Sequence, residues 1–264
     1  MLIDSHAHLF WKEFRSDIDK VIQQAKLAKV EKIVVPGLDV KTSQEAIELS
    51  KHFAKTLKAG IGLHPEVSLI DDLDLNKEIK QLKLLLEKDK KQVVAIGEVG
   101  LDKHTAELKS RYSRQEIIFK EMVSLAKKYQ LPLIIHSRDK VVKTILKIVD
   151  EIGWKQGVFH CFSGDEQELE LIIKNGFYVS FCGNITWSKR VARLVKLVPN
   201  NKLLIETDSP FMSPRNNQGK LIAKLRNEPR NVRILAKYYS QLRKTRIEII
   251  EKLIEKNTKA LFKL

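Results

Sequence analysis

One α/β domain spanning residues 1–264 and folded as a (β/α)8 TIM barrel is the architecture this sequence predicts, on three observations. Apolar segments of strand length alternate along the chain with longer segments of helical periodicity, the pattern of a parallel sheet with crossover helices. The length of 264 residues matches the roughly 250 of one such barrel. Polar residues of metal-ligand type recur at the ends of the first, fourth, fifth, sixth and eighth strand-like segments. A closed barrel gathers those ends on one face, which favours it over an open doubly wound sheet.

The elements follow in order. Residues 2–5 form the first strand, and Ile18, Val21, Ile22, Ala25 and Ala28 mark one apolar face of the helix after it. Residues 32–35 are the second strand; Thr42 followed by Glu45 reads as a capping box opening the next helix. Strands three and four are residues 58–61 and 93–97, and Ile118, Met122, Leu125 and Tyr129 stripe a long helix behind the fourth. Residues 132–135, 157–159, 177–181 and 202–206 complete the set of eight. From Asn227 onward the chain is helical and rich in Lys, Arg, Leu and Ile, as the last outer helices of a barrel would be. No linker, repeat or low-complexity tract divides it.

Composition narrows the class. With 43% apolar and 31% charged residues the chain reads as an ordinary globular protein. It has no basic-then-apolar leader and no apolar run near the ~18 residues of a membrane span, so a cytoplasmic protein with no membrane contact is expected. Nothing in it points to an obligate protein partner. Cys161 and Cys182 lie in separate apolar stretches and are expected as buried free thiols. The net charge of +15 would draw polyanions, although lysines are spread along the whole chain and most belong to solvated helix faces.

The chemistry concentrates at the strand ends. His6 and His8 are two apart on a strand, so their side chains share a face and suit one ion. Glu98 ends an apolar run, where a carboxylate is costly unless it is paired or bound to metal. Its two oxygens could bridge two ions about 3.5–4 Å apart. His136 and His160 end the fifth and sixth strands, and Asp208 follows the eighth, where it could bind metal and also deprotonate water. Four imidazoles and two carboxylates suit Zn or Mn, and Mg where substrate oxygens complete the shell. Arg138 and His64 stand where substrate should lie, Arg138 with the shape for a phosphate oxyanion or, alternatively, an ion pair with Asp139 or Glu98. Glu206 shares a face with Asp208 and is expected deeper in the barrel as a support; His52 and His104 are expected at the surface. A metal-dependent hydrolase follows.

The segments Ile3-Asp4-Ser5-His6-Ala7-His8-Leu9, Gly62-Leu63-His64-Pro65, Gly97-Glu98-Val99-Gly100-Leu101-Asp102, His136-Ser137-Arg138, His160-Cys161-Phe162-Ser163-Gly164 and Glu206-Thr207-Asp208-Ser209-Pro210 stand in this order. Together they resemble the TatD family of metal-dependent deoxyribonucleases, amidohydrolase-like barrels, and the likeness spans nearly the entire chain. The resemblance implies one ion held by His6, His8 and Asp208, a second by His136 and His160, and Glu98 between them. It implies DNA as substrate, hydrolysed at phosphodiester bonds, often from a 3′ end and commonly in single-stranded form, with His64 and Arg138 holding the phosphate. Phe10 and Lys103-His104 depart from the family's usual residues and bear on how substrate is positioned.

Two other functions compete. A barrel hydrolase of small esters or phosphoesters often bridges its metals with a modified lysine on the fourth strand, where this chain has Glu98. A non-catalytic nucleic-acid-binding metalloprotein would use a closed, cysteine-rich site, and only two cysteines are present.

Overall fold

The computed structural model describes every residue except 72–73, 217–219 and 222–225. Eight parallel strands stand side by side in chain order: β1 (Leu2–Asp4), β2 (Val30–Pro36), β3 (Leu57–Ile61), β4 (Val93–Asp102), β5 (Leu133–Arg138), β6 (Gly157–Phe159), β7 (Tyr178–Phe181) and β8 (Leu203–Ile205). Each falls where the alternation of the sequence predicts it, with β4 and β5 running on through Asp102 and Arg138. The helices between them are α1 (Ile18–Leu27), α2 (Val40–His52), α3 (Leu75–Lys88), α4 (Ala106–Ser110), α5 (Tyr112–Tyr129), α6 (Val142–Ile152), α7 (Glu166–Lys174) and α8 (Lys189–Leu197). After β8 come α9 (Val232–Leu242) and α10 (Ile247–Phe262).

Strand alternation sorts the apolar residues into two layers. Ile33 and Val35 of β2, and Leu133 and Ile135 of β5, join the large core against the helices. Between them in sequence, Val34 and Ile134 join Ala95, Val158 and Leu204 in a separate cluster of strand residues, with Leu261 and Phe262 of α10 packed in. That second cluster is the barrel interior, and the face that carries it continues upward into the polar residues at the strand ends. Ile134 is followed at the same parity by His136, Val158 by His160, and Leu204 by Glu206 and Asp208.

The barrel closes just past the ends of its first and last strands. Ser5 N–H donates to Ile205 O at 3.1 Å, Asp208 N–H to His6 O at 2.9 Å and His8 N–H to Ser209 O at 2.8 Å. Beneath these bonds the buried carboxylate of Asp4 accepts from the Thr207 N–H at 2.9 Å and the Thr207 hydroxyl at 2.6 Å. Burial drives the Asp4 pKa well up, while the bonds from Thr207 and His6 oppose it.

Two expectations are corrected. The capping box of α2 sits three residues earlier than Thr42–Glu45: Asp39 is the cap and accepts from Thr42 N–H at 2.7 Å, while Thr42 Oγ1 accepts from Asp39 N–H at 2.9 Å. Asp39 has the extended backbone a cap requires, and its carboxylate reaches the third helical N–H, so Thr42 serves as the reciprocal partner. Cys161 and Cys182 are not free thiols but a disulfide with Cα atoms 5.3 Å apart. They follow β6 and β7, and neighbouring parallel strands deliver the residues beyond their ends to adjacent positions.

Gly100 holds β4 against β5 beneath the strand ends. It pairs with His136, its φ is 153°, and a Cβ there would lie 2.0 Å from the His136 carbonyl oxygen. Gly100→Ala therefore has no relaxed solution, and a loss of about 2–4 kcal/mol is expected from the clash and the unfavourable φ together. Urea denaturation measures it; a midpoint equal to the parent's would show that β4 can withdraw from β5 without cost.

Candidate metal centre

Six of the residues singled out in the sequence meet at the strand ends around one carboxylate. Glu98 sits 3% exposed, and its two oxygens face different partners. Oε2 lies 3.1 Å from His6 Nε2 and 3.3 Å from His8 Nε2. Oε1 lies 2.8 Å from His160 Nε2 and 3.0 Å from His136 Nδ1. Asp208 Oδ1 completes the first side, 3.6 Å from His6 Nε2 and 3.7 Å from His8 Nε2, which are themselves 3.0 Å apart. Metal–ligand bonds of about 2.0–2.1 Å place neighbouring donors of a tetrahedral shell about 3.3 Å apart, the spacing seen here.

Glu98 reaches this position by a break in regularity. Ala95 belongs to the barrel interior, so strict alternation would turn Gly97 inward and Glu98 out. Instead the pairing of β4 with β5 shifts register between Ile96 and Val99. The irregularity re-aims the side chain into the cluster, a common use of bulges beside functional sites.

Behind the imidazoles stand acceptors that fix their orientation. His8 Nδ1 lies 3.2 Å from Pro36 O, His160 Nδ1 lies 3.4 Å from Glu206 Oε1, and His136 Nε2 lies 2.8 Å from Asp102 Oδ2. Each such contact favours the proton on the outer nitrogen and turns the other nitrogen's lone pair toward the cluster, the arrangement typical of metal-binding histidines. Glu206, fully buried deeper in the barrel as expected, also accepts from Ser180 Oγ at 2.5 Å and the Cys161 N–H at 2.6 Å. Asp102 was passed over in the sequence. It lies two positions beyond Gly100 and four beyond Glu98, so strand parity on an extended β4 is the signal that finds it.

The electrostatics are those of a crowded, dry cluster. Burial would raise the pKa of Glu98, but the charges of His160, His6 and His64 outweigh it and hold the carboxyl well below its usual range. Burial and the nearby His160 press His6 down to about 4. His160 and His136 are lifted despite burial, the first by Glu98 and Glu206, the second by its bonds to Asp102 and Glu98. Burial pushes Asp208 up to about 7, with the His160 and His8 charges opposing. Asp208 also holds a φ of 57°, a left-handed conformation that aspartate tolerates better than most residues.

The donor set fits divalent metal on chemistry as well as spacing. His6 Nδ1 is buried without a hydrogen bond, and the nitrogens of His160 meet Glu98 and Glu206 at ion-pair distance but off the line of a good hydrogen bond; imidazole lone pairs converging on a carboxylate call for a cation. The groups His6–His8–Asp208, His6–Glu98–His160 and His64–Glu98–His136 each bring three donor atoms within reach of one ion. The disulfide takes the sulfurs of Cys161 and Cys182 out of any such set, although both lie close to Asp208.

His64 and Arg138 take different places. His64 Nε2 lies 3.4 Å from Glu98 Oε1, inside the cluster, and its Nδ1 accepts from the Glu66 N–H at 3.3 Å. That bond leaves the proton on Nε2, and burial keeps the ring neutral by lowering its pKa. His64 is thus a hydrogen-bond donor at the cluster's edge. Arg138 is exposed on the wall of the cleft above, and among the described residues it pairs with neither Asp139 nor Glu98. His52 is exposed, as is His104, which pairs with Asp139 at 2.9 Å.

The cleft over the cluster has a volume of about 610 Å³ and is lined by His8, Glu98, His136, His160 and Asp208 at its floor. No helix among the described residues is long and apolar enough to cross a membrane. Residues 3–263 match the family model described as TatD related DNase. The chain is similar to the metal-dependent hydrolase YabD of Bacillus subtilis, 38% identical over 100% of both sequences. It is similar to the deoxyribonuclease TATDN3 of Homo sapiens, 28% identical over 99% of this chain and 94% of that one. Among solved structures it resembles YjjV, a TatD homolog from Escherichia coli, with a TM-score of 0.89 and 28% identity over 100% and 98% of the two chains. A TatD family hydrolase of Entamoeba histolytica gives a TM-score of 0.84 and 25% identity over 99% and 97%. The amidohydrolase-like barrel, the imidazole–carboxylate cluster at its strand ends and these matches agree: the chain belongs to the TatD-related DNase family and is a metal-dependent hydrolase.

Proposed function

We propose that the chain is a cytoplasmic deoxyribonuclease that hydrolyses DNA phosphodiester bonds with two divalent cations, Mg, Mn or Zn, acting as a 3′–5′ exonuclease that prefers single strands. The observation that carries the two-ion reading is the division of Glu98, whose Oε2 serves His6 and His8 while Oε1 serves His136 and His160. In this reading His6, His8 and Asp208 would hold one cation and His136 and His160 the other, with Glu98 shared by the two groups. The cations would supply an activated water and neutralise charge growing on the phosphoryl and leaving oxygens.

The protein's own groups do the rest. Asp208 lines the cleft beside His6 and His8, where its carboxylate is placed to accept the proton of the attacking water. His64 donates from Nε2 to a phosphate oxygen, and Arg138 offers a planar pair of donors from the wall. Asp102, Glu206 and the Pro36 carbonyl keep His136, His160 and His8 turned inward. The TATDN3 match supports DNA over small esters as the substrate.

Protein stripped with a chelator is expected to lose cleavage of labelled oligonucleotides and regain it with Mn, Mg or Zn; cleavage of small phosphoesters but of no oligonucleotide would overturn the substrate assignment. Glu98→Ala is expected to lower kcat/KM at least a hundredfold, about 2.7 kcal/mol in the barrier, with the fold intact by circular dichroism. Near-parental turnover would refute the two-ion arrangement. Asp208→Asn should retain part of the bound metal, counted by elemental analysis, and yet turn over far more slowly. Glu206→Ala removes the acceptor behind His160, and calorimetry should then report metal affinity about 10- to 100-fold weaker; parental affinity would detach Glu206 from the centre.

A further inference from the structure

Among the described residues, Trp187 and Phe211 are the only Phe, Trp or Tyr side chains that are exposed, 39% and 47%, and both line the cleft over the cluster. Every other Phe, Trp and Tyr is buried or partly covered. Exposed rings so confined to one place mark a binding surface rather than incidental surface apolarity.

Phe211 is also tied into the fold. Its N–H donates to Asp208 O at 2.9 Å, and its carbonyl accepts from Nδ2 of the fully buried Asn227 at 2.7 Å. Its ring stands edge-on to Trp11, centroids 5.7 Å apart, and 6.4 Å from the imidazole of His8. An aromatic face is therefore presented beside one of the six clustered residues. On Trp187 the guanidinium of Arg215 lies 5.2 Å from the ring centroid, and Arg138 and Arg190 line the same cleft. Flat apolar faces beside basic groups suit a ligand that is planar and anionic at once, which describes a nucleotide with an unpaired base.

We infer that Phe211 and Trp187 are stacking surfaces for unpaired nucleobases flanking the scissile phosphate, so that the enzyme selects single strands through their bases as well as their backbone. This deepens the nuclease reading and rests on it. A duplex, with its bases stacked on one another, offers no free face to either ring.

The test uses two single-stranded substrates of equal length, oligothymidylate and a chain whose residues are all abasic, with the metal-loaded enzyme. The parent should cleave the thymidylate with a KM about tenfold or more below that of the abasic chain. Phe211→Ala and Trp187→Ala should raise the thymidylate KM toward the abasic value, with the rise in KM exceeding any fall in kcat, and Phe211→Trp should restore the difference. Equal KM values for the two chains in the parent would overturn the stacking surfaces while leaving the nuclease standing, as would variants that lower kcat alike on both. Cleavage of neither chain would overturn the nuclease reading and this inference with it.

Discussion

The structure depends on a seam. β1 and β8 close the barrel through backbone bonds that run between the very residues of the cluster, Asp208 N–H to His6 O and His8 N–H to Ser209 O. Roughly two hundred residues separate the two sides, so neither can position its donors until the whole sheet has formed. Closing the barrel and assembling the centre are one event. Long-range pairing of this kind is entropically expensive and slow to form, and a cation that binds only the closed form would stabilise the fold by mass action. Asp4, locked to Thr207 beneath the seam, sets the height at which the two ends meet.

Above the seam the centre is poor material for stability. Four carboxylates (Glu98, Asp102, Glu206 and Asp208) and five imidazoles (His6, His8, His64, His160 and the half-buried His136) are largely withdrawn from water, and the contacts among them only partly offset their desolvation. Replacing such a cluster with apolar residues would commonly strengthen a protein. Its retention in a barrel with an ample apolar interior at Val34, Ile134, Val158 and Leu204 is therefore a matter of chemistry. The outer acceptors illustrate the point. Asp102 and Glu206 add further buried charge for the sake of holding two rings in a single orientation.

Much of the fold and the centre was legible because strand alternation is simple. His136, His160 and Asp208 continue the inward parity of Ile134, Val158 and Leu204, so eight apolar segments and their terminal residue types were enough to find them. Glu98 was legible by type but not by aim, since a register shift turns it inward and hydrophobic alternation carries no sign of such a shift. Asp102 was missed because β4 was read as ending at Gly97, which hid a parity that runs on from Glu98. The cysteines misled for the opposite reason. Spacing of 21 residues says little, whereas adjacency of β6 and β7 brings the two sulfurs together. His64 was read as a substrate contact, but its place against Glu98 and the bond from Glu66 N–H that leaves its proton on Nε2 come only from the fold.

The cleft is electrostatically layered. Its floor mixes the carboxylates of Glu98 and Asp208 with the imidazoles of His8, His136 and His160, which offset one another in a poorly screened setting. Its walls carry Arg138 and Arg190, within a chain of net charge +15 that attracts anions from a distance. The walls thus supply long-range attraction, while the floor groups largely cancel one another. Divalent cations seated on that floor would add the short-range attraction for an anion that the walls lack. The arginines bear on how often an anion arrives, and a loaded metal centre would bear on whether it stays.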